Sequence, residues 1–392
     1  MTNEDLREFS NEAGREREFI LWKERFQLSA KDAGIPAGLL EAVLPQIRLE
    51  PKVLKLQSNQ SEFISPIWEY VDAAMPPERI AAGKDAMAAH RNDLEKIEIQ
   101  FGVEGSFLVA IWGIETNYGT KMGEMPVLNS LATLAFGSNR KPFFENELTD
   151  AFRILATTSV YDAKLCGSWA GAFGHTQFMP SSFIRFATSL DYGEANICKR
   201  SPVDALASAA NYLRSFGWIS GQPWGMEVKL PLGFDYLLAD GSTEKSPGTW
   251  NRLGVRLPDN SRLPDCGNAA ILLPAGCQGP ALAVFSNFRV IGFYNRSLAY
   301  MIAVGHLSDR LKGGPSFEQA WPRYEQPLSP SLIQEIQLLL TSLGFDTKGA
   351  DGIAGPDTMA GIRMFQAREN LIPDGFATAC LLERLRSAST SL

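Results

Sequence analysis

One stretch constrains the fold more than any other. Phe107 to Gly119, FLVAIWGIETNYG, is apolar or small along most of its length and carries a single acid, Glu115. It is too short for the roughly 20 residues that span a bilayer, so it reads as a helix buried in a protein core, with its carboxyl group taken in alongside. At helical spacing Ile111 and Trp112 lie one turn back on the same face and Tyr118 one turn ahead. Such walls desolvate the carboxyl group and favour its neutral form, which is how a protein builds a general acid. For an isolated Glu in an apolar run the commoner outcome is a structural glutamate tied to backbone donors. The neighbouring segments reverse that preference.

The chain has 392 residues, more than one hydrophobic core usually fills, and at least two domains are expected. Its net charge is −7, and no basic stripe interleaved with aromatics appears, which argues against a nucleic-acid or acidic-membrane partner. A neutral or mixed-charge substrate fits better. The polar opening, MTNEDLREFSNEAGRERE, reads as neither a signal peptide nor a lipobox, so the expectation is either a cytoplasmic chain or a targeting segment outside this sequence. Five cysteines (Cys166, Cys198, Cys266, Cys277, Cys380) form no CxxC pair, which disfavours a zinc ribbon or a thioredoxin-type site. Cys198 is a candidate to bridge to Cys166, and Cys266 and Cys277 are close enough in sequence to form a second pair.

Periodicity divides the chain into parts. Residues 1 to about 100 read as helices, with Phe19, Trp22 and Phe26 on one face and Pro36, Pro45, Pro51, Pro66 and Pro76-Pro77 as punctuation. Residues from about 101 to 220 are helical and carry the candidate chemistry; Ser181 or Ser182 is the expected cap of one helix and Asp204 opens another. From Trp224 to about Phe288 short alternating runs such as MEVKLPL and ALAVFSNF predict a small β region. A last helix, YNRSLAYMIAVGHLSDRL, ends at Gly313-Gly314-Pro315, and residues 315–327 read as a linker.

The tail, residues 328 to about 390, forms a module of its own. Ile333, Ile336, Leu340 and Leu343 mark one helix face, Met359, Ile362 and Phe365 a second, and Leu381, Leu382 and Leu385 a third. Asp351-Gly352 and Asp374-Gly375 each sit in a turn before a helix, which suggests two related half-units. DGIAGPDTMAGIRMFQ followed by DGFATACLLERL resembles the peptidoglycan-binding domain appended to many cell-wall hydrolases; any three-helix interaction module is the plainer alternative.

Two further segments bear on chemistry. Gly167 to Phe183, GSWAGAFGHTQFMPSSF, combines close-packing Gly and Ala with the rings of Trp169 and Phe173 and the neutral hydrogen-bonding groups of Ser168 and Gln177. Neutral donors beside rings suit a sugar, although a tight packing motif in which Gln177 only caps backbone groups would look the same. FYNRSLAY supplies Tyr294, Asn295 and Tyr300, with a β-to-helix junction built on an Asn turn as the plainer reading. The histidines, His90, His175 and His306, are far apart, and no HExxH, G-x-S-x-G or P-loop occurs. His175 reads as a wall or packing residue rather than a base.

These segments, in this order, resemble the lytic murein transglycosylase B family, lysozyme-like enzymes that cleave bacterial peptidoglycan. The resemblance runs from AGIPAGLLEAVL and QSEF through WGIETNYG, LATLAF, GSWAGAFGHTQFMPSSF, DALASAANYL and GW to FYNRS. It implies a mainly helical α+β fold with a lysozyme-like catalytic domain over residues 1–314, a β region near 224–290, and a three-helix peptidoglycan-binding domain over 328–390. It also implies that Glu115 is the catalytic acid and base, and that Ser168, Gln177, Tyr294, Asn295, Tyr300, Tyr118 and Arg140 line a glycan cleft. The implied reaction cleaves the β-1,4 bond between N-acetylmuramic acid and N-acetylglucosamine and closes a 1,6-anhydro ring without water. It needs no cofactor.

The implied partners are peptidoglycan glycan strands and other cell-wall enzymes, in the periplasm. Some family members hold calcium in a loop just before the helix that here opens at Asp204, where oxygen ligands alternate. LDYGEANICKRSPVD keeps Asp191 and Glu194 but places Ile197, Cys198, Lys199 and Arg200 in its second half, so no metal site is expected. Two alternatives remain. A hydrolytic muramidase needs a second carboxylate, for which Glu124, Glu145, Glu147 and Asp150 are near in sequence; a cell-wall-binding scaffold needs no chemistry at all.

Overall fold

The computed structural model describes residues 3–62, 65–159, 161–162, 164–191 and 193–390, with the side chains of 3–13 and 58–62 left aside. Phe63 of the QSEF segment lies outside the described residues. The fold is mostly helical with little strand. The chain divides into two compact units, one comprising the chain up to Ser61, Asp85–Phe101 and Ile111–Tyr212, the other Glu62–Lys84, Gly102–Ala110 and Leu213–Leu392.

The first unit is built on apolar spacing. Phe19, Trp22 and Phe26, on helix Asn3–Asp32, form a ladder of rings with centroids 5.5 Å apart at each step, as residues three and four apart on one helix face should. Phe26 meets Phe152 of helix Lys141–Thr157 at 6.1 Å, and that helix packs closely on Val127–Gly137. A two-stranded antiparallel ribbon joins Met125–Pro126 to Cys166–Gly167, placing the segment after the Glu115 helix beside the one that begins at Ser168. Helix Pro180–Phe186 is not capped by its own serines. Met179 is the N-cap, and the Ser181 amide and hydroxyl instead bond Glu147 at 3.0 and 2.7 Å; a carboxylate from a neighbouring helix satisfies the N-terminal donors that sequence assigned to Ser181 or Ser182.

In the second unit an antiparallel sheet runs in the order Gly225–Val228, Ala281–Val284, Ala269–Leu272, Glu244–Lys245. Its core is the buried Trp250, whose indole donates to the Ala269 carbonyl at 2.8 Å. The strand pattern stops at Val284, and Ser286–Tyr294 is a helix that buries Asn287, Phe288, Val290 and Ile291. FYNRS is therefore a helix-to-helix turn rather than the β-to-helix junction its sequence suggested, because the continuous apolar strand ends at Val284 and burial from Asn287 to Ile291 follows helical spacing.

The C-terminal helices Pro330–Ser342, Pro356–Arg368 and Ala379–Ser389 close on Ile333, Ile336, Leu340, Ile362, Phe365, Leu381, Leu382 and Leu385. A repeated clamp orders them. Gln337 donates to Asp351 Oδ1 at 2.9 Å and accepts the Gly352 amide at 2.9 Å; Gln366 donates to Asp374 Oδ1 at 2.9 Å and accepts the Gly375 amide at 2.8 Å. In the second copy Asp374 Oδ2 also takes the Cys277 amide, at 2.9 Å.

Residues 315–327 are not a loose tether. Phe317 stacks on His306 with centroids 4.0 Å apart, Trp321 lies 6.4 Å from Trp68, Arg323 pairs with Asp72 at 2.7 Å, and Glu227 accepts the Glu318 and Gln319 amides. The five cysteines are free thiols, which replaces the two pairings left open by sequence; a disulfide needs sulfurs at about 2.05 Å.

Candidate active site

Glu115 stands half-buried in the last turn of helix Gly105–Thr116. The chain then reverses. Asn117, Tyr118 and Gly119 have φ of 47°, 58° and 82°, the left-handed region that costs non-glycine residues energy and that clusters at functional sites. The Tyr118 amide reaches back to the Trp112 carbonyl at 3.4 Å, and its ring meets Trp112 edge-on at 5.6 Å. The Tyr118 ring covers Gly113, where a Cβ would lie 2.7 Å from it. Tyr118 thus folds back along the helix, not one turn further on as the spacing predicted, because the helix ends at Thr116.

A hydrogen-bonded link holds this turn to the second segment. The Trp112 indole donates to His175 Nδ1 at 3.1 Å, Thr116 Oγ1 donates to the His175 carbonyl at 2.7 Å, and Thr116 Oγ1 accepts the Gly119 amide at 3.1 Å. With Nδ1 accepting, the imidazole proton sits on Nε2, 2.6 Å from the Lys199 carbonyl. Burial, with His90 contributing, lowers the His175 pKa, while the Lys199 carbonyl opposes the shift. Sequence singled out Glu115 and Gln177, read His175 as a wall or packing residue and gave Thr116 no role; both are hydrogen-bonded between the two segments.

In that second segment the Ser168 hydroxyl accepts the Ala172 amide at 3.1 Å. Gln177, at φ 50°, donates its amide to the carbonyls of Met122 and Gly174 at 3.1 and 2.9 Å. Its nitrogen therefore fastens the two segments together. Arg140 is exposed and lies 4.2 Å over the Phe143 ring. In the other unit Tyr294 stacks on Tyr300 at 6.5 Å, Asn295 Oδ1 accepts the Ser297 amide at 2.9 Å, and Tyr300 is only 2% exposed. Glu115, Tyr118, Arg140, Ser168 and Gln177 thus belong to one unit and Tyr294, Asn295 and Tyr300 to the other.

Three of the four acids considered as a second carboxylate are tied into packing. Glu145 accepts the Trp22 indole at 2.8 Å, Asp150 pairs with Arg153, and Glu147, 4% exposed, caps Ser181 and has its pKa raised by burial. Glu124 is exposed beside the ribbon. Before helix Val203–Ser215, the Lys199 ammonium lies 3.1 Å from Asp204 Oδ2, which also accepts the Asn196 amide, and Glu194 Oε2 accepts both donors of Ser159. Those residues do not fit a calcium ion: a lysine occupies the place of a cation, and no cluster of three His, Cys, Asp or Glu residues is placed to hold a metal among the described residues.

The transglycosylase SLT domain family matches residues 18–309, and a peptidoglycan-binding domain family, described as putative, matches residues 329–385. The chain belongs to the SLT transglycosylase family. It is a peptidoglycan lytic transglycosylase, related to the membrane-bound lytic murein transglycosylase B of Escherichia coli K12 at 31% identity over 297 residues, which cover 70% of this chain and 78% of that one. Among solved structures, SltB3 of Pseudomonas aeruginosa, in complex with NAG-anhNAM-pentapeptide, superposes with a TM-score of 0.90 at 41% identity, covering 94% of this chain and 99% of that one. The Escherichia coli lytic transglycosylase Slt35, in complex with calcium, gives 0.62 at 28% identity over 74% of this chain and 92% of that one. No single helix among the described residues is long and apolar enough to cross a membrane.

Proposed function

We propose that Glu115 is the single proton-transfer group of a reaction that cleaves the β-1,4 bond between N-acetylmuramic acid and N-acetylglucosamine. Neutral Glu115 protonates the leaving glycosidic oxygen while the substrate's own N-acetyl group meets the positive charge at the anomeric carbon. The Glu115 carboxylate then takes the proton of the muramyl 6-hydroxyl, whose oxygen attacks that carbon and closes the 1,6-anhydro ring. The 6-hydroxyl is tethered to the reacting carbon, which gives it a large effective concentration. Ser168, Gln177 and Asn295 orient acetamido groups, Tyr118 and Tyr294 hold the rings and the developing charge with Tyr300 stacked against Tyr294, and Arg140 lines the cleft.

The observation that carries this reading is the placement of Glu115, half-buried on the last turn of an apolar helix where the chain reverses through Asn117, Tyr118 and Gly119 at positive φ. Glu145, Glu147 and Asp150 hold an indole, a helix N-terminus and an arginine. Of the four acids near in sequence, Glu124 is the exposed one and the candidate base of the hydrolytic alternative. Glu115→Gln keeps the shape but removes the proton transfer; turbidity clearing of purified cell walls should slow by several orders of magnitude. Activity within about tenfold of the parent contradicts the assignment.

We assign the catalytic domain to residues 1–314, the connecting segment to 315–327 and the peptidoglycan-binding domain to 328–390. The tail adds avidity for insoluble wall rather than chemistry. Because Phe317 and Trp321 cover His306 and Trp68, a chain ending after residue 327 is the one expected to stay folded and active. We propose that it works in the periplasm, where peptidoglycan lies, beside other cell-wall enzymes.

A further inference from the structure

We infer that His175 is a positioning residue for the reaction, and that it acts through Trp112 to hold the helix turn that ends in Glu115. This rests on the reading of Glu115 as the acid. His175 lies on the GHTQF turn, and its four hydrogen-bonding groups face two directions. The Nδ1 atom and the carbonyl face the Glu115 helix, taking the Trp112 indole at 3.1 Å and the Thr116 hydroxyl at 2.7 Å. The amide and Nε2 face the 196–204 loop, bonding the Ile197 carbonyl at 3.0 Å and the Lys199 carbonyl at 2.6 Å. Trp112 and Thr116 flank Glu115 at −3 and +1, so both ends of the turn that presents the carboxyl group are fastened to one residue.

The far end of the link is anchored as well. The Lys199 ammonium lies 3.1 Å from Asp204 Oδ2, and the Asn196 amide 2.9 Å from the same oxygen, so an ion pair on helix Val203–Ser215 fixes the loop whose carbonyls His175 holds. The imidazole is also gripped sideways. Gly119, at φ 82°, approaches its ring so closely that a Cβ would come within 2.5 Å of it. These constraints leave one ring orientation and one tautomer, and an imidazole used only to fill space would need neither. Precise placement of a general acid matters because small displacements from a reactive geometry reduce rate far more than binding.

The test uses the full-length chain and defined muropeptide oligomers, with kcat and KM measured well below each variant's melting temperature. His175→Phe keeps the ring and loses both side-chain hydrogen bonds; Trp112→Phe breaks the same link from the other side and leaves the backbone turn intact. Each should lower kcat on the order of 10- to 100-fold with KM within about twofold. The double variant should lose no more than His175→Phe alone, since Trp112→Phe removes a hydrogen bond that His175→Phe has already removed. His175→Gln can donate to Lys199 and accept from Trp112, and should recover to within about fivefold of the parent. Multiplicative losses in the double variant, a change in KM alone, or His175→Gln no better than His175→Phe would overturn the positioning role while Glu115→Gln stayed inactive. An active Glu115→Gln would remove the reading of the acid, and this inference with it.

Discussion

Two glutamates of the same unit show what burial alone does not decide. Glu147 is almost wholly buried, closed in by the Ser181 amide and hydroxyl at the start of helix Pro180–Phe186. Glu115 is half-buried, on the last turn of an apolar helix, where the chain reverses through three residues of positive φ. The Glu147 carboxyl group completes a helix cap, and Glu115 stands at the edge of the core. We propose a structural role for Glu147 and a chemical one for Glu115, whose strained turn is the kind of backbone that clusters at functional sites.

That comparison predicts opposite phenotypes. Glu115→Gln should abolish activity by several orders of magnitude and leave the melting temperature within a degree or two. Glu147→Gln should do the reverse: it exchanges an acceptor-only group for an amide beside the Ser181 donors, costing about 1–3 kcal/mol of stability, with kcat per folded molecule within about threefold. Thermal melts and turbidity assays on the same preparations decide it. If Glu147→Gln proved as inactive as Glu115→Gln at full foldedness, the division between structural and catalytic acid would fail.

A histidine extends the contrast to pH. Burial, aided by Arg310, pulls the His306 pKa from 6.5 to about 4 where it stacks under Phe317. Between those values the unfolded chain takes a proton that the folded chain refuses, so this group's contribution is intact above about pH 6.5 and falls as pH drops toward 4, by at most about 3 kcal/mol. Glu147 and Asp309, whose pKa values burial raises, push the other way. Comparing the parent with His306→Leu isolates the histidine: the difference in stability should depend on pH in that window, and a constant difference would contradict its burial as a neutral base. The smallest effect belongs to Glu124→Gln, which should leave cell-wall clearing within about twofold; a loss of a hundredfold or more would revive the hydrolytic alternative.

Much of this was legible beforehand, for physical reasons. The apolar run around Glu115, the aromatic ladder of Phe19, Trp22 and Phe26, and the repeated Asp-Gly turns of the tail are local patterns, and local patterns survive in sequence. The back-folded Tyr118 was hidden because helical spacing assumes that the helix continues. The helix at Ser286–Tyr294 was hidden behind an apolar strand that runs straight into it. The cap on Ser181 and the link from Trp112 to His175 join residues 34 and 63 positions apart, and no local pattern reports a partner that distant. The segment 315–327 read as a linker because its prolines are visible and its ring contacts to His306 and Trp68 are not.

The central claim, one carboxyl group with the sugar's own hydroxyl as nucleophile, is tested most directly by digesting peptidoglycan in water labelled with heavy oxygen and weighing the muramic ends. The account predicts 1,6-anhydro ends, lighter than hydrolysed ends by one water, lacking a reducing group and free of label. Reducing muramic ends that carry the heavy oxygen would contradict it.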